Sequence, residues 1–138
     1  MKTRLMLSLV GWMVLGLGTV EAQIVVVNRS VKAEVITKSD LRDIFLGAST
    51  NYKDGSHAVP VTLKAGATHE QFLKEYVGKN DASFRAAWRA LLFSGQGTIP
   101  KAFDSEAGLI EYIASVPGAI GYVGSAPNHE KVRTVSVK

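Results

Sequence analysis

Ile24, Val25, Val26 and Val27 form an unbroken β-branched run, bounded by the polar Asn28, Arg29 and Ser30. Branched side chains favour a pleated strand, and four apolar residues in succession leave neither face for water. A strand of this kind has to be covered on both sides. The chain that carries it is directed towards a layered fold, with helices packed over a sheet.

The rest of the chain supplies those layers. Leu41, Ile44 and Phe45 fall at helical spacing after Thr37 or Ser39 as a cap, and Gly47 offers the stop. Residues 48–58 are polar and turn-rich, with Asp54-Gly55 as their clearest turn. Val59-Pro60-Val61-Thr62-Leu63 returns to strand character, its proline implying a first-residue or edge position. Thr68 and Gln71 have the spacing of a capping box, predicting a helix that buries Phe72, Leu73, Tyr76 and Val77 and ends at Gly78. Asn80 or Asp81 opens the next helix, whose stripe of Phe84, Ala87, Trp88, Leu91 and Leu92 is the broadest in the chain.

Residues 94–100 read as a loop. Asp104 or Ser105 then caps a helix carrying Leu109, Ile110 and Ile113. Pro117-Gly118 turns the chain into the strand Ala119-Ile120-Gly121-Tyr122-Val123, and residues 132–137 alternate as a half-buried last strand. The expected order is β, α, β, α, α, α, β, β, an α/β domain with a mixed sheet.

Residues 1–22 stand apart from this pattern. Lys2 and Arg4 precede an apolar stretch over residues 5–17, and Val20-Glu21-Ala22 has the small or tolerated residues of a cleavage site before Gln23. This is the layout of a secretory signal peptide. The uncharged stretch falls short of the roughly 20 apolar residues of a membrane span. The expectation is an exported, periplasmic domain over residues 23–138, free of the membrane once the signal is cleaved. The chain has no cysteine, so neither a disulfide nor a lipid-modified cysteine is available and packing must supply stability. Its net charge of +4 is mild and its basic residues are scattered, which does not suit a nucleic-acid surface.

Four fragments stand in one order: Val25-Val26-Val27-Asn28, Leu41-Arg42-Asp43-Ile44-Phe45-Leu46-Gly47, Trp88 with Phe93-Ser94-Gly95, and Pro117-Gly118-Ala119-Ile120-Gly121-Tyr122-Val123. In these the chain resembles the phosphate-type solute-binding proteins of ABC transporters, and most of all their short single-domain relatives. The resemblance implies a type II periplasmic-binding-protein-like fold: one three-layer lobe, a mixed β-sheet flanked by helices, matching the second lobe of two-lobed members. It also implies a small anion such as phosphate as ligand, and a permease or another periplasmic protein as partner. Two-lobed members contribute an arginine and a Ser-Gly-Thr turn from this lobe. The matching positions here hold Thr62 and Gly66-Ala67-Thr68, so only Thr68 is kept.

The expected ligand-binding residues are therefore Gly66, Ala67 and Thr68 at a helix start, with Lys64 close by. Free amides and a partial positive charge at a helix N-terminus suit an anion. The plain alternative is that Thr68 only caps its helix. Gly95-Gln96-Gly97-Thr98 lacks the lysine and helix start of a nucleotide loop. Arg85 and Arg89, one turn apart, read as a solvated helix face or a grip for an acidic partner. His57, His69 and His129 are too dispersed for a metal motif and are expected at the surface. No catalytic signature, cofactor motif or metal site is present, so a non-enzymatic binding module is expected. Its rival is a ligand-free interaction or regulatory module on the same lobe.

Overall fold

The computed structural model describes residues 23–138. The signal-peptide expectation lies outside the described residues, among which no helix is long and apolar enough to cross a membrane.

Among the described residues six strands form one mixed sheet in the order β2-β6-β1-β5-β3-β4. They are β1 (Ile24–Asn28), β2 (Val35–Ile36), β3 (Val59–Leu63), β4 (Lys101–Phe103), β5 (Ala119–Val123) and β6 (Val132–Val137). The run that opens the chain is central: β1 pairs antiparallel with both β5 and β6, and Val25, Val26 and Val27 are fully buried. The pairs β2 with β6, β3 with β5 and β3 with β4 are parallel. Two edge strands, β2 and β4, go beyond the expected set. The pairing also corrects the placing of β3, which is an interior strand. Its ladder with β4 begins only at Val61, so the missing N–H of Pro60 falls where that side is unpaired.

The helices are α1 (Lys38–Leu46), α2 (Ala67–Phe72), α3 (Asp81–Phe93) and α4 (Glu106–Ser115). A wider π-helical turn, Leu73–Val77, prolongs α2 and ends at Gly78. Where two residues competed as caps, one caps and its neighbour is freed. Thr37 caps α1. Asn80 caps α3 through the Ser83 amide at 2.8 Å, leaving the Asp81 carboxylate for other partners. Ser105 caps α4 through the Gly108 amide at 3.1 Å, which leaves Asp104 to pair with Lys64.

The layers lie on opposite faces of β5. Gly121 faces α4: a Cβ there would come within 2.9 Å of Ile113 and 3.1 Å of Leu109, so the glycine is what lets α4 approach. Tyr122 faces the other way, its ring stacked on Phe72 of α2 with centroids 3.9 Å apart. Phe45 of α1 meets Phe72 edge-on at 4.9 Å. Trp88 of α3 donates its indole N–H to the Phe45 carbonyl at 2.8 Å. Each of these buried aromatics contributes about 1.5–3 kcal/mol by leaving water, so the sheet and both helical layers form one core. Asn28 fastens the end of β1 to α4 by donating to the Ile113 carbonyl at 2.6 Å.

The stripe on α3 is narrower than its spacing suggests. Phe84 and Trp88 are buried, whereas Leu92 is 46% exposed. Leu91, on the same stripe, packs against the core while only partly buried.

Candidate functional site

Strand β3 delivers the chain to the turn at residues 64–66, and Gly66 starts α2 as its N-cap with φ 107° and ψ 171°. That region of backbone space is essentially glycine's own. The capping-box expectation is thereby corrected. No side chain caps this helix, Thr68 is its second residue, and the Gln71 side chain accepts from Gln23 at 2.7 Å. The helix starts two residues early because glycine can make the entry turn.

The first helical bond runs from the Glu70 amide to the Gly66 carbonyl, so among the described residues the amides of Ala67, Thr68 and His69 have no acceptor and remain donors of the first turn. Gly66 and Ala67 are exposed and Thr68 is half-buried, so the turn is open to solvent.

The charges around it are mixed. Lys64 lies 3.1 Å from the Asp104 carboxylate, an exposed pair of the kind worth about 0–1 kcal/mol. The Glu106 carboxylate accepts from the Gly124 amide. A Cβ on Gly124 would sit 3.1 Å from Thr68 Oγ1 and 3.3 Å from Glu106 Oε1, which brings this carboxylate to the side of Thr68. Two acids and one lysine therefore surround the expected residues.

A second constellation, unforeseen in the sequence, begins at the next residue. His69 is 1% exposed, which overturns its expected surface position; His57 is exposed and His129 half-buried. Its Nδ1 meets the Tyr122 hydroxyl, and its Nε2 lies 2.7 Å from Asp81 Oδ1. Tyr122 also accepts from the Leu63 amide at 3.0 Å. Beyond Asp81, Arg85 Nε reaches both carboxylate oxygens at 3.0 and 2.9 Å, and its Nη2 donates to the Lys64 carbonyl at 2.9 Å. Arg85 is thus a tether between α3 and the turn after β3, not simply a solvated side chain.

Burial pushes the Tyr122 hydroxyl well above the ordinary tyrosine range, and the Leu63 amide opposes this only in part. For Asp81, burial raises the pKa, but hydrogen bonds from Arg85 and His69 and the positive charge of Arg85 outweigh it and hold the carboxyl below its usual value. The signal for His69 was legible: it precedes Phe72 by three and Leu73 by four, the spacing of one helix face.

Thr62 is 4% exposed. Val61 beside it meets Gly121 on the α4 face, so Thr62 points to the α3 face. There it lines a cavity of about 220 Å³ with His69, Asp81, Arg85, Trp88 and Arg89 among its walls. Among the described residues no group of three or more His, Asp or Glu side chains could hold a metal ion.

No family profile matches the chain, and no curated protein sequence matches it significantly. Solved structures do. A Clostridium perfringens protein described as a phosphate ABC transporter substrate-binding protein, with bound phosphate, superposes with a TM-score of 0.62 at 18% identity over 83% of this chain and 44% of its own. PstS of Borrelia burgdorferi gives 0.61 at 16% identity, covering 84% of this chain and 47% of that one. An ABC-type phosphate transport receptor of Vibrio cholerae gives 0.59 at 16%, covering 83% and 45%. The chain spans less than half the length of these proteins, and it has the α/β fold of that part of a phosphate-type substrate-binding protein.

Proposed function

We propose that the chain is a non-enzymatic periplasmic binding module which takes a small anion such as phosphate and serves ABC transport. The observation that carries this reading is the open start of α2. There, three amides without an acceptor among the described residues follow Gly66, with Thr68 in the same turn and Lys64 two residues before Gly66, on a fold shared with phosphate-binding proteins. Lys64 needs to leave only a weak, exposed pair with Asp104 to reach an anion. One lobe grips from one side, so the expected affinity is modest, with a Kd of about 1 mM, worth about 4 kcal/mol.

Calorimetry of the purified chain with phosphate and sulfate tests the proposal. Saturable heat that disappears in Gly66→Ala, whose Cβ disfavours the N-cap conformation, and weakens in Thr68→Val is expected. No heat and no thermal shift at millimolar anion overturns it.

A second reading, that the lobe has lost its ligand and docks another periplasmic protein, is favoured by two observations. Asp104 and Glu106 flank the anion turn, and Leu92, Phe93 and Ile99 stay exposed, Phe93 to 88%. A stable complex that Phe93→Ser abolishes, in a protein with no anion response, selects this reading.

A further inference from the structure

The cavity between β3 and α3 holds a combination of groups that the fold does not use. Thr62 on its inner wall is 4% exposed, and its hydroxyl makes no hydrogen bond among the described residues. The hydroxyl is not among the polar atoms sealed off without a partner, so it reaches the open space of the cavity and is available to a ligand there. Arg89, one helical turn after Arg85, lines the same cavity and likewise has no hydrogen-bond or ion-pair partner among the described residues. Arg85 is committed at Nε and Nη2, which leaves Nη1.

The other walls are the apolar Phe84, Trp88, Ile99, Pro100 and Ala102, together with His69 and Asp81. Its volume of about 220 Å³ lies below the roughly 300–1,000 Å³ of pockets for drug-sized ligands, so the occupant is small. Its charge follows from the donors. Arginine presents a planar fork that matches a carboxylate, and Thr62 adds a hydroxyl donor. A compact, doubly charged tetrahedral anion would leave the apolar walls unused and would face the Asp81 carboxylate, which is already satisfied by His69 and Arg85.

We infer that this cavity is a binding site for a small monocarboxylate with a compact apolar body, gripped by Arg89 and the Thr62 hydroxyl. The apolar body lies against Phe84 and Trp88. The Tyr122, His69 and Asp81 chain acts on the ligand only through Arg85, fixing α3 against β3 and so setting the width of the cavity. The cavity adjoins the start of α2 through His69, but none of Gly66, Ala67 and Thr68 lines it.

Benzoate titrated into the purified chain, followed by NMR shifts of backbone amides and the Trp88 indole, tests the inference. Saturable shifts centred on Thr62, Trp88 and Arg89 are expected, with affinity reduced about tenfold, or about 1.4 kcal/mol, in Arg89→Gln and in Thr62→Val. Thr62→Val keeps the side-chain shape and Arg89 lies on an exposed face, so both variants should fold; their thermal unfolding verifies it. Shifts that fail to saturate, that gather elsewhere, or that survive in either variant overturn the inference. The same shifts produced by inorganic phosphate overturn the carboxylate assignment. Gly66→Ala acts only on the α2 start, so a lost phosphate response and a lost benzoate response are told apart.

Discussion

His69 Nε2 lies 2.7 Å from Asp81 Oδ1 while the opposite ring nitrogen faces the Tyr122 hydroxyl. One tautomer satisfies every member of this chain: Nε2–H donates to Asp81, Nδ1 accepts from the Tyr122 O–H, and the Tyr122 oxygen accepts from the Leu63 amide. Four elements, β3, α2, α3 and β5, are joined by one continuous line of hydrogen bonds. A buried network of this kind rigidifies when complete and is costly when broken.

Tyr122→Phe keeps the ring that stacks on Phe72 and removes only the oxygen. The Leu63 amide and His69 Nδ1 both lose their partner, at about 1–3 kcal/mol for each buried group left unpaired. Urea denaturation is expected to show a lower midpoint with an unchanged slope. A midpoint equal to that of the wild type would show that the network carries no stability.

Asp81 gives the fold an acid-sensitive flank. Its pKa is lower in the folded chain than the ordinary value of about 3.9. The folded state therefore holds its proton less tightly, and the stabilisation is complete above about pH 4 and lost as pH falls through the folded pKa. Asp81→Asn should lower stability at neutral pH and flatten the decline on acidification. Thermal melts from neutral pH to about pH 3 check both, and parallel curves for the two proteins would refute the assignment.

Gly121→Ala probes the packing of α4 on the sheet. The new methyl would meet Ile113 at 2.9 Å, and Leu109 and Val61 at 3.1 Å, all three in the core. Overpacking of this order costs typically about 1–3 kcal/mol. A second substitution, Ile113→Val, removes the methyl that would be struck first and should restore part of the loss. Measured unfolding free energies of the single and double variants form the necessary cycle.

How far the sequence discloses this arrangement depends on the length over which each signal is written. The run at Val25, Val26 and Val27 and the fragment ending at Val123 place the two central antiparallel strands, because several neighbouring residues agree. Strand β4 is three residues long and exists through its pairing with β3, so nothing local announces it. The start of α2 is misread by two residues for a similar reason. Thr68 and Gln71 have the right spacing, but the positive φ of Gly66 is a property of the turn and leaves no mark in composition. His69 shows the opposite case: its position on the face of Phe72 and Leu73 was readable, and its polar character concealed it. The cavity beyond Thr62 needs β3 and α3 to be brought together, and no spacing along the chain records that meeting.

Glu106 offers the sharpest test of the anion turn. Its carboxylate accepts from the Gly124 amide beside Thr68, so it places negative charge next to the amides that would receive a phosphate. A glutamine oxygen can accept the same bond, and Glu106→Gln should therefore keep the fold while removing the repulsion. Two unit charges several ångströms apart near a protein surface interact by about 2–4 kcal/mol before salt screening. An affinity gain of about three- to tenfold for phosphate is expected after screening, larger at low ionic strength than at high. Asp104→Asn should act in the same direction by releasing Lys64 from its exposed pair. Calorimetry at two salt concentrations reads both effects. If neither variant binds phosphate more tightly than the wild type, the anion does not sit at the start of α2.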